Sequence, residues 1–344
     1  MQKVRLGRTG LHVTKIGFGG IPIQRLEDDR EAAALVSAAV EMGINWFDTA
    51  TGYSTSEARI GEGIKPFRRE SLYIFTKSPA KTPETLKAHI ELSMTRLQTD
   101  YIDVFQFHGI KQDAWKQILT NGSMDMLMEM RNRGEIRHLA ASSHSSMDML
   151  EVLEHPAIEV AQFPFNFIMY EEVDEILGKC RAKDAGFIAM KPFGGGVFPS
   201  AGPCIRFLMQ YPDVVANPGF ENAGQIREVI ALVEKGSVLS DEDRRMIEAV
   251  RKEVGSRFCR RCGYCLPCPH GVQILNLMII ESVIRRMPPA QVINGARKRD
   301  VLDVEKCIEC GLCQTKCPFE LPIMKSIREA AAMYLDYEKQ HEQR

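Results

Sequence analysis

The chain has 344 residues, enough for one large domain and a smaller one. Its 44 Lys and Arg against 45 Asp and Glu leave a net charge of −1, so no global field gathers nucleic acid or an anionic membrane surface. No apolar run approaches the ~20 residues of a membrane span; the longest, Val272 to Ile284, is broken by Gln273, Asn276, Glu281 and Ser282.

The opening Met1-Gln2-Lys3-Val4-Arg5 lacks the apolar stretch of a secretory signal, which predicts a soluble cytoplasmic protein. From Lys15 to about Lys235, short β-rich runs alternate with longer stretches of helical period, such as Ala33, Leu35, Val36, Ala39 and Val40. The expected strands are Lys15–Gly19, Asn45–Thr49, Leu72–Thr76, Ile102–Phe107, Arg137–Ala141, Val160–Phe165, Phe187–Lys191 and Val214–Asn217. Strands and helices alternating in this way predict an α/β fold, a closed (β/α)8 TIM barrel. An open doubly wound sheet is the runner-up; against it, Gly17, Gly19 and Gly20 do not have the G-x-G-x-x-G spacing.

In such a barrel, function gathers at the C-terminal ends of strands. Asp48, Lys77, His108, Ser142 and Ser143 fall there, and Gln162 and Asn166 lie on or just beyond the sixth strand. Singly, each reads as a packed or solvated polar residue; their joint placement points to a site.

The segment Asn45-Trp46-Phe47-Asp48-Thr49-Ala50-Thr51-Gly52-Tyr53-Ser54-Thr55-Ser56-Glu57 resembles the aldo-keto reductase signature: Asp after strand two, Tyr five residues later, then Ser-Glu opening a helix. Lys77 after Ile74-Phe75-Thr76, His108 after Asp103-Val104-Phe105-Gln106-Phe107, and the entry Val4-Arg5-Leu6-Gly7-Arg8-Thr9-Gly10-Leu11 extend the resemblance over about the first 235 residues. It implies an oxidoreductase moving a hydride between NADPH or NADH and a small carbonyl or alcohol substrate. Tyr53 would be the general acid, Lys77 would lower its pKa, Asp48 would hold Lys77, and His108 would orient the carbonyl. By the same resemblance, Ser142, Ser143 and Gln162 hold the nicotinamide carboxamide. Met190, Lys191, Phe193 and Gly194 lie in the loop beneath the pyrophosphate, and Gly219, Gln225 and Glu228 stand at the adenosine end. There the chain departs from the family: Gln225 replaces the usual Arg and Val229 the adenine-binding Asn, while Glu221 would repel a 2′-phosphate. NADH preference, weak nucleotide binding and none remain open.

A boundary is expected near Gly236–Ser240, giving a barrel domain over 1–238 and a second domain over 239–344. Eight of the ten cysteines fall in the second domain, in two runs: Cys259, Cys262, Cys265, Cys268 before Pro269, and Cys307, Cys310, Cys313, Cys317 before Pro318. Each run predicts ligands for a 4Fe–4S cluster, with the Cys before Pro crossing to the other cluster. One cluster would take Cys259, Cys262, Cys265 and Cys317, the other Cys307, Cys310, Cys313 and Cys268. Zinc ribbons leave the extra thiols unexplained, and a disulfide framework belongs to small secreted chains. The long insert between the runs favours a helical, ferredoxin-like module, as in the aldo-keto reductase subgroup with two C-terminal clusters. Cys180 and Cys204 read as buried thiols, and Met124, Met126, Met128 and Met130 as packing residues.

Nicotinamide carries electrons in pairs and clusters carry them singly, so a flavin would be needed to couple them, though no flavin site is evident. Three functional readings follow: a carbonyl reductase with structural or regulatory clusters, an enzyme whose clusters exchange electrons with a ferredoxin or flavoprotein, and a non-catalytic redox-sensing nucleotide binder.

Overall fold

An antiparallel hairpin, β1 (Lys3–Arg5) and β2 (His12–Thr14), precedes eight parallel strands. These are β3 (Phe18–Gly19), β4 (Trp46–Asp48), β5 (Tyr73–Ser78), β6 (Ile102–Phe107), β7 (Ile136–Ser142), β8 (Ile158–Pro164), β9 (Gly186–Met190) and β10 (Val214–Asn217). They pair in sequence order. Bonds from Gly17 N to Ala216 O (2.9 Å) and Gly19 N to Pro218 O (2.7 Å) close the last strand onto the first. The molecule, a computed structural model, is described over residues 1–342 and is the expected (β/α)8 barrel.

The strands are apolar because both faces are covered; every residue of β6 and β8 is buried. Helices α1 (Asp29–Glu41), α2 (Ser56–Ile64), α3 (Pro83–Leu97), α4 (Gln112–Thr120), α5 (Ser123–Asn132), α6 (Ser146–Val152), α7 (Val173–Ala182), α8 (Ala201–Met209) and α9 (Ala223–Glu234) connect and follow them. The crossover from β6 to β7 holds two helices where one was expected, broken at Gly122 with φ of 82°. The first strand is shorter than expected: Lys15 and Ile16 bond to Gln2 and Ala216 instead of β4. The hairpin plugs the foot of the barrel, where Leu6 and Val13 pack with Trp46, Phe75, Val104, Val160 and Val215. Chemistry is thereby left to the opposite mouth.

Two compact units result: Met1–Pro192 with Cys204–Val238, and Phe193–Pro203 with the chain from Leu239 onward. The second opens with α10 (Asp241–Glu253), whose Ser240 and Asp243 form a reciprocal capping box. It continues through α11 (Ile274–Leu277), α12 (Ile280–Arg286), α13 (Pro289–Val292), α14 (Gly295–Leu302), α15 (Leu312–Thr315) and α16 (Ile323–Glu342). Leu277, Ile280, Val283, Val301, Ile327 and Tyr334 form its core. Pro289 opens a helix, a position where its missing N–H costs nothing. Residues 193–203 fold with this unit: the Phe198 ring packs tilted against Phe258 with centroids 5.7 Å apart, and Ser282 Oγ donates to Gly195 O at 3.3 Å. No helix among the described residues is long and apolar enough to cross a membrane.

Candidate active site and cysteine cavities

At the barrel mouth, Asp48 ends β4, and Lys77 lies near the end of β5. Lys77 Nζ donates to Asp48 Oδ2 at 2.6 Å and to Thr49 O at 2.7 Å; both side chains are almost fully buried. Burial pulls the Lys77 ammonium downward, but the Asp48 carboxylate and then Tyr53 outweigh it, and its pKa stands above the ordinary value. The ammonium lies 5.0 Å from the centroid of the Tyr53 ring, which meets His108 edge-on at 5.5 Å. Asp48, Tyr53, Lys77 and His108 thus meet at one place, with Tyr53 and His108 partly open to solvent and the ion pair beneath them.

The signature residues Ser56 and Glu57 anchor this arrangement. Thr49 Oγ1 donates to Ser56 Oγ at 2.9 Å, while Glu57 accepts from Thr76 Oγ1 at 2.7 Å and pairs with Arg96 at 3.2 Å. Two further residues escaped the sequence reading. Gln106 Nε2 donates to Asp48 Oδ1 at 2.7 Å, and Asn217 Nδ2 donates to Asp48 Oδ2 at 2.7 Å. The available signal was an amide inside an otherwise apolar strand, Val-Phe-Gln-Phe in β6 and Val-Val-Ala-Asn in β10.

Ser142 and Gln162 are register partners on β7 and β8. The hydroxyls of Ser142 and Ser143 bond to backbone, at Gly109 N and Ile110 O among others. Gln162 is 1% exposed, and neither atom of its amide has a partner among the described residues. A buried amide without partners is costly, and a carboxamide ligand would satisfy both its donor and its acceptor, so the site suits a nicotinamide.

Met190 O accepts from Phe165 N and Lys191 O from Asn166 Nδ2. Phe193 and Gly194 fold with the second unit. The glycines there serve close packing: a Cβ on Gly195 would come within 2.3 Å of Ser282 Oγ, and one on Gly194 within 2.7 Å of the Phe198 ring. Gly219 bridges to Gly19 across the barrel seam. Gln225 Oε1 accepts from Glu221 N at 2.8 Å, Glu221 pairs with Arg25 at 3.0 Å, and Glu228 is exposed.

None of the ten cysteines is joined to another in a disulfide. Eight of them line two cavities in the second unit. One is walled by Cys259, Cys262, Cys265 and Cys317. The other is walled by Cys268, Cys307, Cys310 and Cys313, with Cys265 on the partition. Each cavity therefore draws sulfurs from both runs. Sulfurs ringing a volume suit a polynuclear cluster better than zinc. Burial, then the neighbouring Cys259 and Cys262, push the Cys265 thiol up to about 12. Cys180 and Cys204 are buried in α7 and α8, and burial raises both thiols.

Residues 15–203, more than half of the chain, match the model of the Aldo/keto reductase family, and residues 258–322 match a 4Fe-4S dicluster domain. The chain is 28% identical over 217 residues to L-galactose dehydrogenase of Arabidopsis thaliana, covering 58% of this chain and 67% of that protein. It is 24% identical to the NADH-specific methylglyoxal reductase of Escherichia coli, covering 53% and 64%. A crystal structure of a thermostable aldo-keto reductase with the inhibitor epalrestat superposes with a TM-score of 0.62 at 25% identity, over 73% of this chain and all of that one.

Proposed function

The chain belongs to the aldo/keto reductase family and carries a 4Fe–4S dicluster domain, and from that premise we propose that it interconverts a small-molecule carbonyl and its alcohol with Tyr53 as general acid and base. The observation that carries this reading is the convergence on Tyr53 of the Asp48-held Lys77 ammonium and the His108 ring. A reduced nicotinamide, when bound, supplies the hydride that reaches the carbonyl carbon.

The chain's own residues handle the proton. As negative charge grows on the carbonyl oxygen, the Tyr53 hydroxyl donates to it. A free phenol has a pKa of about 10, and the adjacent Lys77 ammonium favours the phenolate left behind. Asp48 keeps Lys77 charged and fixed, and His108 orients the carbonyl oxygen. In the reverse direction the same phenolate takes the alcohol proton. Gln162 holds the nicotinamide carboxamide beside Ser142 and Ser143. Cys259, Cys262, Cys265 and Cys317 hold one cluster; Cys268, Cys307, Cys310 and Cys313 hold the other.

NADH is the proposed coenzyme. The segment assigned by resemblance to the adenosine end presents a carboxylate, Glu221, engaged by Arg25, and its Gln225 side chain is folded back onto Glu221 N. No cation is supplied by Gln225 for a 2′-phosphate.

The test is anaerobic reduction of methylglyoxal by the cluster-loaded protein, with NADH or NADPH. NADH should be preferred, and Tyr53→Phe should lower kcat about 100-fold or more with NADH still bound. An unchanged rate in Tyr53→Phe would sink the acid assignment.

A second reading, electron exchange with a ferredoxin or flavoprotein, is favoured by one observation. Cys310 is exposed, and Ile308 (65% exposed) and Leu312 (48%) flank it on the rim of the second cavity. Bleaching of the cluster absorbance by NADH without added flavin would favour it.

A further inference from the structure

Asn217 stands where a barrel strand ordinarily carries an aliphatic side chain. It is the last residue of β10, after Val214, Val215 and Ala216, all buried. Its amide nitrogen donates to Asp48 Oδ2 at 2.7 Å, the same oxygen that receives the Lys77 ammonium at 2.6 Å. Gln106, the register partner of Lys77 on the next strand, donates to the other oxygen at 2.7 Å. One carboxylate therefore accepts from one cation and two neutral amides.

This arrangement opposes stability. The Asn217 Oδ1 and Gln106 Oε1 atoms are shielded from solvent and have no partner among the described residues. Such orphaned carbonyls are costly, and an aliphatic residue at either position would avoid the penalty. The seam also makes room for Asn217: a Cβ on Gly19 would come within 3.0 Å of its Oδ1. A polar group kept at a cost, with space reserved for it, points to a role in the site.

We propose that Asn217, seconded by Gln106, is a positioning residue that sets the acidity of Tyr53 by sharing the charge of Asp48. This rests on the reading of Tyr53 as proton donor. Each amide N–H draws charge density from the carboxylate, so Asp48 grips Lys77 less tightly and more of the ammonium's field reaches the phenol. Removing a donor concentrates the carboxylate charge on Lys77 and removes a positive dipole end from near the phenolate. Both effects raise the Tyr53 titration midpoint. The other titratable groups here are Lys77 on β5 and His108 after β6; Glu57 on α2 is engaged by Arg96.

The experiment uses the full-length, cluster-loaded protein labelled with ¹³Cζ-tyrosine, following each phenol carbon by NMR from neutral pH to the alkaline limit of folding. Tyr53→Phe identifies the Tyr53 resonance. Asn217→Val should move its midpoint up by about half a pH unit or more, with thermal stability equal or higher. Gln106→Met should move it the same way, which covers the case of a misfolded Asn217→Val. An unmoved midpoint in both folded variants overturns the proposal. Lys77→Met separates the two levels of inference. A midpoint that responds to Lys77→Met but to neither amide variant sinks only the role of Asn217. A midpoint indifferent to Lys77→Met, or a Tyr53 that never ionises, sinks the proton-donor reading and this inference with it.

Discussion

Lys15 illustrates what a single buried charge does to this barrel. Its ammonium, 2% exposed, donates to the carbonyls of Tyr211 (2.6 Å) and Pro212 (3.1 Å), just before β10. Burial lowers its pKa to about 8 despite the opposing pull of Asp213. The folded pKa lies below the unfolded one, so the unfolded chain binds more protons between pH about 8 and 10.5, and stability rises with pH in that window. The gain is on the order of 3 kcal/mol at most. Denaturation of the parent and Lys15→Met at both ends of the window should show this rise in the parent alone; parallel curves would refute it. At this scale the strand pattern put Asp48, Lys77 and His108 at strand ends, and the family resemblance added Tyr53, which the structure brings beside them. The sequence did not disclose Gln106 and Asn217, because an amide within a strand reads equally well as packing until its partner is seen across the barrel.

Among elements, β6 and β10 begin and end where the residue pattern put them, being short apolar runs between clear turn signals. The β6–β7 crossover did not, because the break between α4 and α5 depends on one left-handed glycine inside an otherwise helical pattern. The loop after β9 carries Gly194, placed beneath the pyrophosphate by the family resemblance; all three of its glycines at 194–196 have positive φ, and Gly195 packs directly on Ser282 of α12. Gly195→Ala should therefore destabilise the second unit by about 1–2 kcal/mol from backbone strain alone, plus the steric conflict. Ser282→Gly should recover the steric part only. Urea unfolding followed by cluster absorbance checks both, and an unaffected midpoint in Gly195→Ala would show that the loop is not locked there.

At the scale of the whole molecule, the two units were legible because their compositions differ: β-rich alternation in one, cysteine runs with short helices in the other. Residues 193–203 were not, since nothing in their composition joins them to a unit that begins again at Leu239. The sharing of each cavity between both runs makes a prediction that single substitutions cannot test. Cys259→Ser and Cys317→Ser should each cost about four of about eight iron atoms, and the double variant no more than either alone, because they serve one cluster. Loss of all iron in the double variant would mean that each run serves its own cluster.

That sharing also dictates a schedule. The first cavity lacks a wall until Cys317 has been synthesised, and the second has only Cys268 and the shared Cys265 until Cys307, Cys310 and Cys313 follow. A nascent chain paused on the ribosome between the two runs holds the four thiols of the first run and no complete site. On the proposed ligand assignment, neither cluster can be completed until the second run has been made. A transcript truncated before Cys307 then yields a barrel with no iron at all.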